Sequence, residues 1–263
     1  MNAIVQTVAA PVPTGMTTRR VLGAYLAEAR SECLRYLRNP GFVIPVVIFS
    51  CMFYLLFAVI MGGSFGHGAS TYLLASYSVF GIMSPGLFGF GASLAIERDN
   101  GLLTLKRALP VPPGAYLIGK MVMAMLVAAG VVVLLLLMAE FLGHVDVTVG
   151  MAVGLFVTDV LGVLPFCAMG MWVGTLIKGQ GAPGLLNLVY LPMSFLSGLW
   201  VPLPQLPHAL QKLAPIFPSY HLEAIALDAV GMAQTTIWTH VLVLAGFAAV
   251  FLGLAMRRLR RHG

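Results

Sequence analysis

The sequence predicts an all-α integral membrane protein, and its composition and its charge distribution are the two observations that predict it. Of the 263 residues, 59% are hydrophobic and 9% are charged, whereas ordinary soluble domains are about 25% charged. The mean hydropathy is +0.94. A soluble fold has too little polar surface to cover so many apolar side chains. Long uncharged stretches instead supply helices that cross a bilayer.

Gaps between charged residues predict six transmembrane helices. A crossing takes about 20 apolar residues, and no Asp, Glu, Lys or Arg occurs from Asn39 to Ile96. This stretch is long enough for two crossings, with the turn at residues 62–68 between them. The predicted spans are about 41–62, 70–96, 119–141, 150–177, 182–200 and 237–256. The fifth is short, and Pro183 and Pro192 interrupt it.

The basic residues predict how these spans are oriented. Of the 15 Lys and Arg residues, 14 fall on one side of the predicted spans, and Lys212 falls on the other. Because Lys and Arg near spans are retained on the cytoplasmic side, both termini are expected in the cytoplasm. Basic groups beside span ends meet anionic lipid headgroups. The net charge of +6 therefore does not indicate a nucleic-acid partner.

The N-terminal region divides into a leader and an amphipathic helix. Residues 1–18 are expected to form a flexible leader, and residues 19–263 a single transmembrane domain. Within residues 17–38, apolar side chains recur at helical spacing between basic ones. Such a helix lies in the membrane interface and does not cross the bilayer. Its basic residues expected at the interface are Arg30, Arg35 and Arg38.

A cytoplasmic helix is predicted after the second span. Leu102, Leu105 and Leu109 share one helical face, and the prolines from Pro110 onward end the helix. The helix either anchors the loop at the membrane surface or docks a cytoplasmic partner. The candidate docking residues are Glu97, Arg98, Gly101, Leu105, Lys106 and Arg107.

A proline-rich segment before the last span predicts an outer re-entrant hairpin. Residues 197–221 contain too many prolines for a spanning helix and are too apolar for a free loop. Irregular backbone at membrane depth has to be shielded by protein or water. Trp200 and Tyr220 fit the aromatic belt at the outer surface. The hairpin is either a structural cap or part of the exit for a substrate.

Motifs for enzyme chemistry are missing from the sequence. It contains no GxxxxGK[ST] phosphate loop, so this chain has no such route to bind ATP. HExxH and GxSxG are also missing. The histidines show no metal-ligand spacing, and the three cysteines are widely separated. We therefore expect no catalytic residues, no metal site and no cofactor in this chain.

The order of these features resembles a known family, the permease subunits of type-2 ABC transporters. It is most similar to the branch of bacterial drug- and antibiotic-resistance exporters. The resemblance covers the chain from about residue 19. Its motifs are Glu97 with Gly101 through Pro110-Val111-Pro112, and Phe195-Leu196-Ser197-Gly198 through Pro202, Leu206-Pro207, Leu210-Gln211 and Pro218.

The resemblance implies a mechanism driven by another subunit. A cytoplasmic ABC ATPase would bind ATP and Mg and dock on the coupling helix and the N-terminal helix. A second permease copy or a homologue would complete the translocation path in the bacterial cytoplasmic (inner) membrane, in contact with lipid. The substrate moved outward would be lipophilic, such as a drug, an antibiotic or a lipid-like molecule.

Candidate residues for the path lie on the fifth and fourth spans. Asn187, Tyr190, Ser194 and Ser197 share an uncharged helical face. Asp159 is a carboxylate inside a span, where ionisable groups usually face a cavity or a partner; a tolerated structural carboxyl is the alternative. Other functions left open are an ion-coupled secondary transporter, for which no convincing internal repeat is found, and a polysaccharide or glycolipid export permease.

Overall fold

A computed structural model describes residues 17–61, 68–108 and 112–262, and every regular element in this part of the chain is helical. The first half contains α1 (Thr18–Leu37), α2 (Pro40–Tyr54), α3 (Ala69–Ser84), α4 (Ser93–Asp99), α5 (Leu102–Ala108) and α6 (Pro113–Phe141). The second half contains α7 (Val149–Leu176), α8 (Ala182–Leu196), α9 (His208–Leu213), α10 (Pro218–Ala229) and α11 (Ile237–His262). The all-α prediction is confirmed for these residues.

Two of the predicted spans contain π-helical segments. The helix α2 continues as a π-helix over Leu55–Ile60, and a π-helix over Pro85–Ala92 joins α3 to α4. Turns of π-helix are rare in proteins, and those that occur are often found at functional sites. Pro85 stands at the start of the second π-helix. Since proline lacks a backbone N–H and crowds the preceding turn, it favours a local departure from the α-helical ladder.

Five helical segments in the described residues are long and apolar enough to cross a membrane. They are Val43–Ile60, Ala69–Asp99, Gly114–Phe141, Val149–Leu176 and Ile237–Arg258. They match five of the six predicted spans. The remaining one, predicted at residues 182–200, is the 15-residue helix α8. At 1.5 Å per residue this helix is about 22 Å long, shorter than a hydrocarbon core of about 30 Å.

The segment Ala69–Asp99 forms the centre of the fold. Its most apolar window is 78% buried, compared with 11% for Ile237–Arg258. It packs against α2, α6, α7, α8 and α10, whereas α11 contacts mainly α7 and α10. The second predicted span is therefore the core of the bundle, and the last one lies at its edge.

Glycines bring the central segment very close to α7. A Cβ atom on Gly174 would lie 2.4 Å from the carbonyl oxygen of Gly91, and one on Gly91 would lie 2.6 Å from that of Gly170. Only glycine allows two backbones to approach this closely. These small residues therefore serve packing within one chain.

The helix α1 lies across the start of α6 with its polar face inward. A Cβ atom on Gly119 of α6 would sit 3.2 Å from the backbone nitrogen of Ala29. Glu32 and Tyr36 are buried in this contact, whereas Leu22 and Leu26 are exposed. The exposed apolar face of α1 is the one that an interfacial helix turns toward lipid.

The segment between α8 and α11 folds into short pieces. The 3₁₀ turns Leu203–Gln205 and Ala214–Ile216 flank α9, and α10 follows. Gly198 has a φ of 100°, a left-handed conformation that favours glycine. The helix α10 packs back against α3, α7 and α11. We call residues 197–229 the outer hairpin; its depth in the membrane stays a prediction.

Candidate functional site

Six charged side chains from four helices meet at the predicted cytoplasmic end of the bundle. The set contains three carboxylates and three cations and is therefore formally neutral. Its members are Glu28, Glu32 and Arg35 of α1, Glu97 of α4, Lys106 of α5 and Lys120 of α6. We call this set the charge cluster.

Lys120 is the centre of the charge cluster. Its side chain is 0% exposed. The Nζ atom lies 2.9 Å from Glu97 Oε1 and 3.1 Å from Glu32 Oε2, and it donates to Ser93 Oγ at 2.7 Å. An isolated ammonium would be too costly to bury. Two carboxylates and a hydroxyl compensate for the water that Lys120 has lost, so α1, α4 and α6 depend on one another here.

Glu97 is buried and receives contacts from two other helices. The Tyr116 hydroxyl donates to its Oε2 atom at 2.6 Å, and Arg35 forms an ion pair with it. Burial alone would lower the pKa of Arg35, but the carboxylates of Glu97 and Glu32 outweigh burial and raise that pKa above its ordinary value. Arg35 is therefore a permanent cation that links α1 to the end of the central segment.

Lys106 attaches the short helix α5 to the charge cluster. Its Nζ atom pairs with Glu28 and lies 3.1 Å from Glu32 Oε1. The same atom is 4.4 Å from the centre of the Tyr116 ring, which adds a cation–π contact. A displacement of α5 would therefore pull on both α1 and α6.

Arg98 turns to the opposite side and caps α7. Its two terminal nitrogens donate to the carbonyl oxygens of Thr175 at 2.7 Å and Ile177 at 2.6 Å. Arg258 of α11 donates to the same Thr175 carbonyl at 3.2 Å. Cations at a helix C-terminus satisfy its free carbonyls and its dipole. The end of the central segment and the end of α11 thus both bind the end of α7.

The predicted docking residues have different environments. Glu97, Arg98 and Lys106 have partners within the chain, so they do not form a free charged surface. Leu105 of α5 is 61% exposed, and Gly101 turns the chain between α4 and α5 with a φ of 74°. Arg30 and Arg38 of α1 are exposed. The side chain of Arg107 lies outside the described residues, and the docking role stays a prediction.

Two of the predicted path residues line a groove. Asn187 and Tyr190 of α8 border a cavity of about 300 Å³ together with Pro45 and Phe49 of α2 and Phe88 of the π-helix. Asn187 is exposed, and the buried Tyr190 hydroxyl donates to the carbonyl oxygen of Phe80 at 3.1 Å. The groove is mostly apolar, with one amide at its edge.

The other three predicted path residues are buried elsewhere. Ser194 donates to the Tyr190 carbonyl at 2.6 Å, and Ser197 donates to the Met193 carbonyl at 2.7 Å, so both hydroxyls are satisfied by their own helix. Both carboxyl oxygens of Asp159 are buried and have no hydrogen-bond partner within the described residues. None of the three borders the groove in this conformation.

Sequence reasoning missed a second buried carboxylate, Glu223 of α10. It is 3% exposed and accepts from Ser76 Oγ at 2.9 Å and from the Tyr72 hydroxyl at 3.0 Å. The Tyr72 hydroxyl also lies 3.1 Å from the carbonyl oxygen of Gly198. Burial raises the pKa of Glu223 to about 8. A signal was available, because the apolar residues Ala226 and Leu227, three and four positions further on, share a helical face with Glu223.

The fold and these contacts define a multi-pass helical membrane protein in which ion pairs join the helices at one end of the bundle. A family model described as "ABC-2 family transporter protein" matches residues 65–257. The chain belongs to this family and is a membrane permease of an ABC transporter, the class whose ATP-hydrolysing partner is a cytoplasmic ATPase. The resemblance inferred from the motifs is confirmed.

Two named relatives agree with this assignment. The chain is 26% identical over 232 residues to "Putative transport permease YvfS" of Bacillus subtilis (strain 168), which covers 87% of this chain and 94% of the relative. It is also 26% identical over 176 residues to "Inner membrane transport permease YhhJ" of Escherichia coli (strain K12), which covers 64% of this chain. That match spans 46% of YhhJ, less than half of its length.

Proposed function

We propose that this permease exports a lipophilic substrate, such as a drug, an antibiotic or a lipid-like molecule, across the bacterial cytoplasmic (inner) membrane. ATP and Mg are bound by a separate ATPase, and this chain supplies the path. In this proposal the chain has six spans and both termini in the cytoplasm, so the charge cluster lies on the ATPase side. The distribution of basic residues supports this orientation.

The observation that carries the proposal is the charge cluster. Lys106 joins the coupling helix α5 to α1, and Lys120 joins α1 to α4 and α6. An ATPase that moves α5 therefore moves the cytoplasmic ends of two spans in the same step. Buried charges resist separation, because each one left alone would be uncompensated.

An exposed apolar patch supports ATPase docking on α5. Leu102 and Leu105 are exposed at the end of the bundle where the charges lie. Hydrophobic side chains that protrude beside charges are common in protein interfaces, where the apolar centre is surrounded by a polar rim. These two leucines would insert into a groove of the ATPase. The ion pairs of the charge cluster would keep α5 attached to the bundle.

The groove beside Asn187 and Tyr190 supports a path between two permeases. It is bordered by α2 and α8 and open to the outside of the chain. A second copy, or a homologous permease, would close it into a channel. Ser194, Ser197 and Asp159 would enter the path only if the helices rearrange during the cycle.

The proposal is tested by isolating the complex and by measuring transport. The tagged chain is co-expressed with the ABC ATPase from its own operon, purified, and reconstituted in lipid. We expect the ATPase to co-purify, and inverted vesicles to accumulate a lipophilic substrate only with ATP.

Leu105→Asp should abolish co-purification, and Leu213→Asp, at an exposed leucine of the outer hairpin, should not. Normal assembly of Leu105→Asp would overturn docking on α5, and accumulation without ATP would overturn the function.

A further inference from the structure

An aromatic cavity of about 440 Å³ lies beside the outer hairpin. Its wall includes Phe57, Tyr72, Tyr77 and Trp200, and Gln205 borders it as well. This volume is in the range of small-molecule sites, which are mostly apolar with a few polar groups. We call it the outer cavity. It shares no lining residue with the groove at Asn187.

Packing holds the rings of the outer cavity in place. The Phe57 and Tyr77 rings are stacked, with centroids 6.3 Å apart and planes at 17°. The Trp200 ring lies 5.7 Å from that of Phe80 in an edge-on arrangement. Aromatic rings that are fixed by neighbours lose little freedom when a ligand binds. The cavity is therefore largely preformed.

The surroundings of the outer cavity favour a positively charged ligand over a negatively charged one. None of the residues that line it is Lys or Arg. Directly behind the wall, the Tyr72 hydroxyl is hydrogen-bonded to the buried carboxyl of Glu223. No ion pair with a cationic side chain reaches Glu223 in the described part of the chain. The faces of the aromatic rings are also electron-rich.

We propose that the outer cavity binds a lipophilic cation, an organic ion whose positive charge is spread over an apolar body. Ring faces attract the charge, the apolar wall favours burial of the body, and Glu223 supplies the counter-charge when it is ionised. An anion of the same shape would meet a carboxylate and ring faces that repel it. This inference rests on the proposed function and specifies its substrate class. The cation would then be the transported substrate, and it would occupy the outer cavity before its release from the permease.

Two ions of similar shape and opposite charge provide the test. Tetraphenylphosphonium and tetraphenylborate are measured by equilibrium dialysis against the purified chain in nanodiscs, with empty nanodiscs subtracted. The dialysis is run at about pH 9, where Glu223 is ionised. We expect the phosphonium to bind at least tenfold more tightly than the borate. Equal affinities, or a preference for the borate, would overturn the proposal.

Variants assign the binding to this cavity. Glu223→Gln keeps the size and the acceptor oxygen, and it should weaken phosphonium binding about tenfold without weakening borate binding. Trp200→Leu keeps apolar volume and removes the ring face, and it should also weaken the phosphonium. The matched control is Trp238→Leu, because Trp238 is 76% exposed on α11. An unchanged charge preference in Glu223→Gln, or equal losses in the two tryptophan variants, would contradict the assignment.

A third variant covers the case in which Glu223→Gln does not fold. Tyr72→Phe keeps the ring and removes the hydroxyl between the cavity and Glu223, and it should reduce the charge preference by a smaller factor. All these measurements use the permease alone, without ATP or an ATPase. Failure of ATPase assembly would therefore refute the proposed function only, and a cavity without charge preference would refute the ligand class only.

Discussion

The two ends of the molecule bury their charges in opposite ways. At the predicted cytoplasmic end, Lys120 and Glu97 lie 2.9 Å apart within a formally neutral cluster. Toward the predicted outer end, Asp159 and Glu223 are buried without an ion-pair partner among the described residues. Glu223 has hydroxyl donors, and Asp159 has no hydrogen-bond donor in this part of the chain.

Because of this difference, one end of the bundle resists rearrangement and the other end can change its charge. A buried ion pair resists rearrangement, because removing one partner leaves the other uncompensated. A buried carboxyl without a counter-ion can change its charge by taking up a proton or a ligand. The end that holds the charge cluster is therefore suited to transmit force, and the end that holds Glu223 is suited to respond to pH or to bound cations.

The largest effect is expected from a substitution that breaks the ion pairs of the charge cluster. Lys120→Met should destabilise the protein by about 3–5 kcal/mol, because it removes the fully buried cation and leaves the cluster with one uncompensated negative charge. Thermal unfolding of the purified protein in detergent measures this loss. The control is Lys178→Met, which removes an exposed lysine just before Gly179. Equal changes in the two variants would show that the ion pairs of Lys120 are not what holds this end together.

The outer end should show a pH dependence that depends on Glu223. Its pKa is about 8 in the fold compared with an ordinary value of 4.5, so the folded state binds an extra proton between these values. Stability should therefore fall as pH rises, by about 2–3 kcal/mol from pH 6 to 9 at roughly 1.4 kcal/mol per unit.

Glu223→Gln removes the titrating group and should flatten that pH profile. Glu140→Gln, at an exposed carboxylate in the last turn of α6, should leave the profile as in the original protein. Unfolding midpoints measured across the pH range distinguish the two. A profile that keeps its slope in Glu223→Gln would assign the titration to another group.

A smaller effect is expected where Arg98 caps α7. Arg98→Lys keeps the charge but loses one of the two hydrogen bonds to the carbonyls of Thr175 and Ile177, at a cost of about 1 kcal/mol. The same unfolding assay, and faster hydrogen exchange at the end of α7, would detect it. Arg257→Lys is the control at an exposed position. Equal stabilities of Arg98→Lys and Arg257→Lys would mean that the second hydrogen bond of Arg98 adds nothing to stability.

The smallest effect is expected at Asp159. A carboxyl without partners is expected to be buried as the neutral acid, so Asp159→Asn should change stability by less than about 1 kcal/mol. Glu97→Gln, which removes a charge from the paired cluster, should cost more. A larger loss of stability in Asp159→Asn than in Glu97→Gln would contradict the contrast drawn between the two ends.

The sequence predicted the bounds of several helices closely, because charged residues mark the ends of most of the long uncharged stretches. The fourth was predicted at residues 150–177 and is Val149–Leu176. The interfacial helix was predicted at 17–38 and is Thr18–Leu37. The fifth was predicted to reach residue 200, but its helix ends at Leu196. The chain then leaves the helix through Gly198, whose left-handed conformation requires a turn.

The charge cluster could not be predicted by the same reasoning. Helical spacing shows which residues share a face, but not which helices meet across it. Glu97 and Lys106 therefore looked like the flanks of a surface helix, although they turn inward. The uncharged face of α8 was also ambiguous, because a serine hydroxyl can bond to its own helix, as Ser194 does.

The π-helix at Pro85–Ala92 sets the rotation of everything that follows it. Successive residues of an α-helix are turned by about 100°, and a π-turn holds one residue more than an α-turn. If the same residues were wound as an α-helix, everything after them would be turned by roughly 100°, and Glu97 would swing away from Lys120. The phase of the second predicted span, and with it the ion pairs of Glu97, thus depends on eight residues in the second half of the segment Ala69–Asp99.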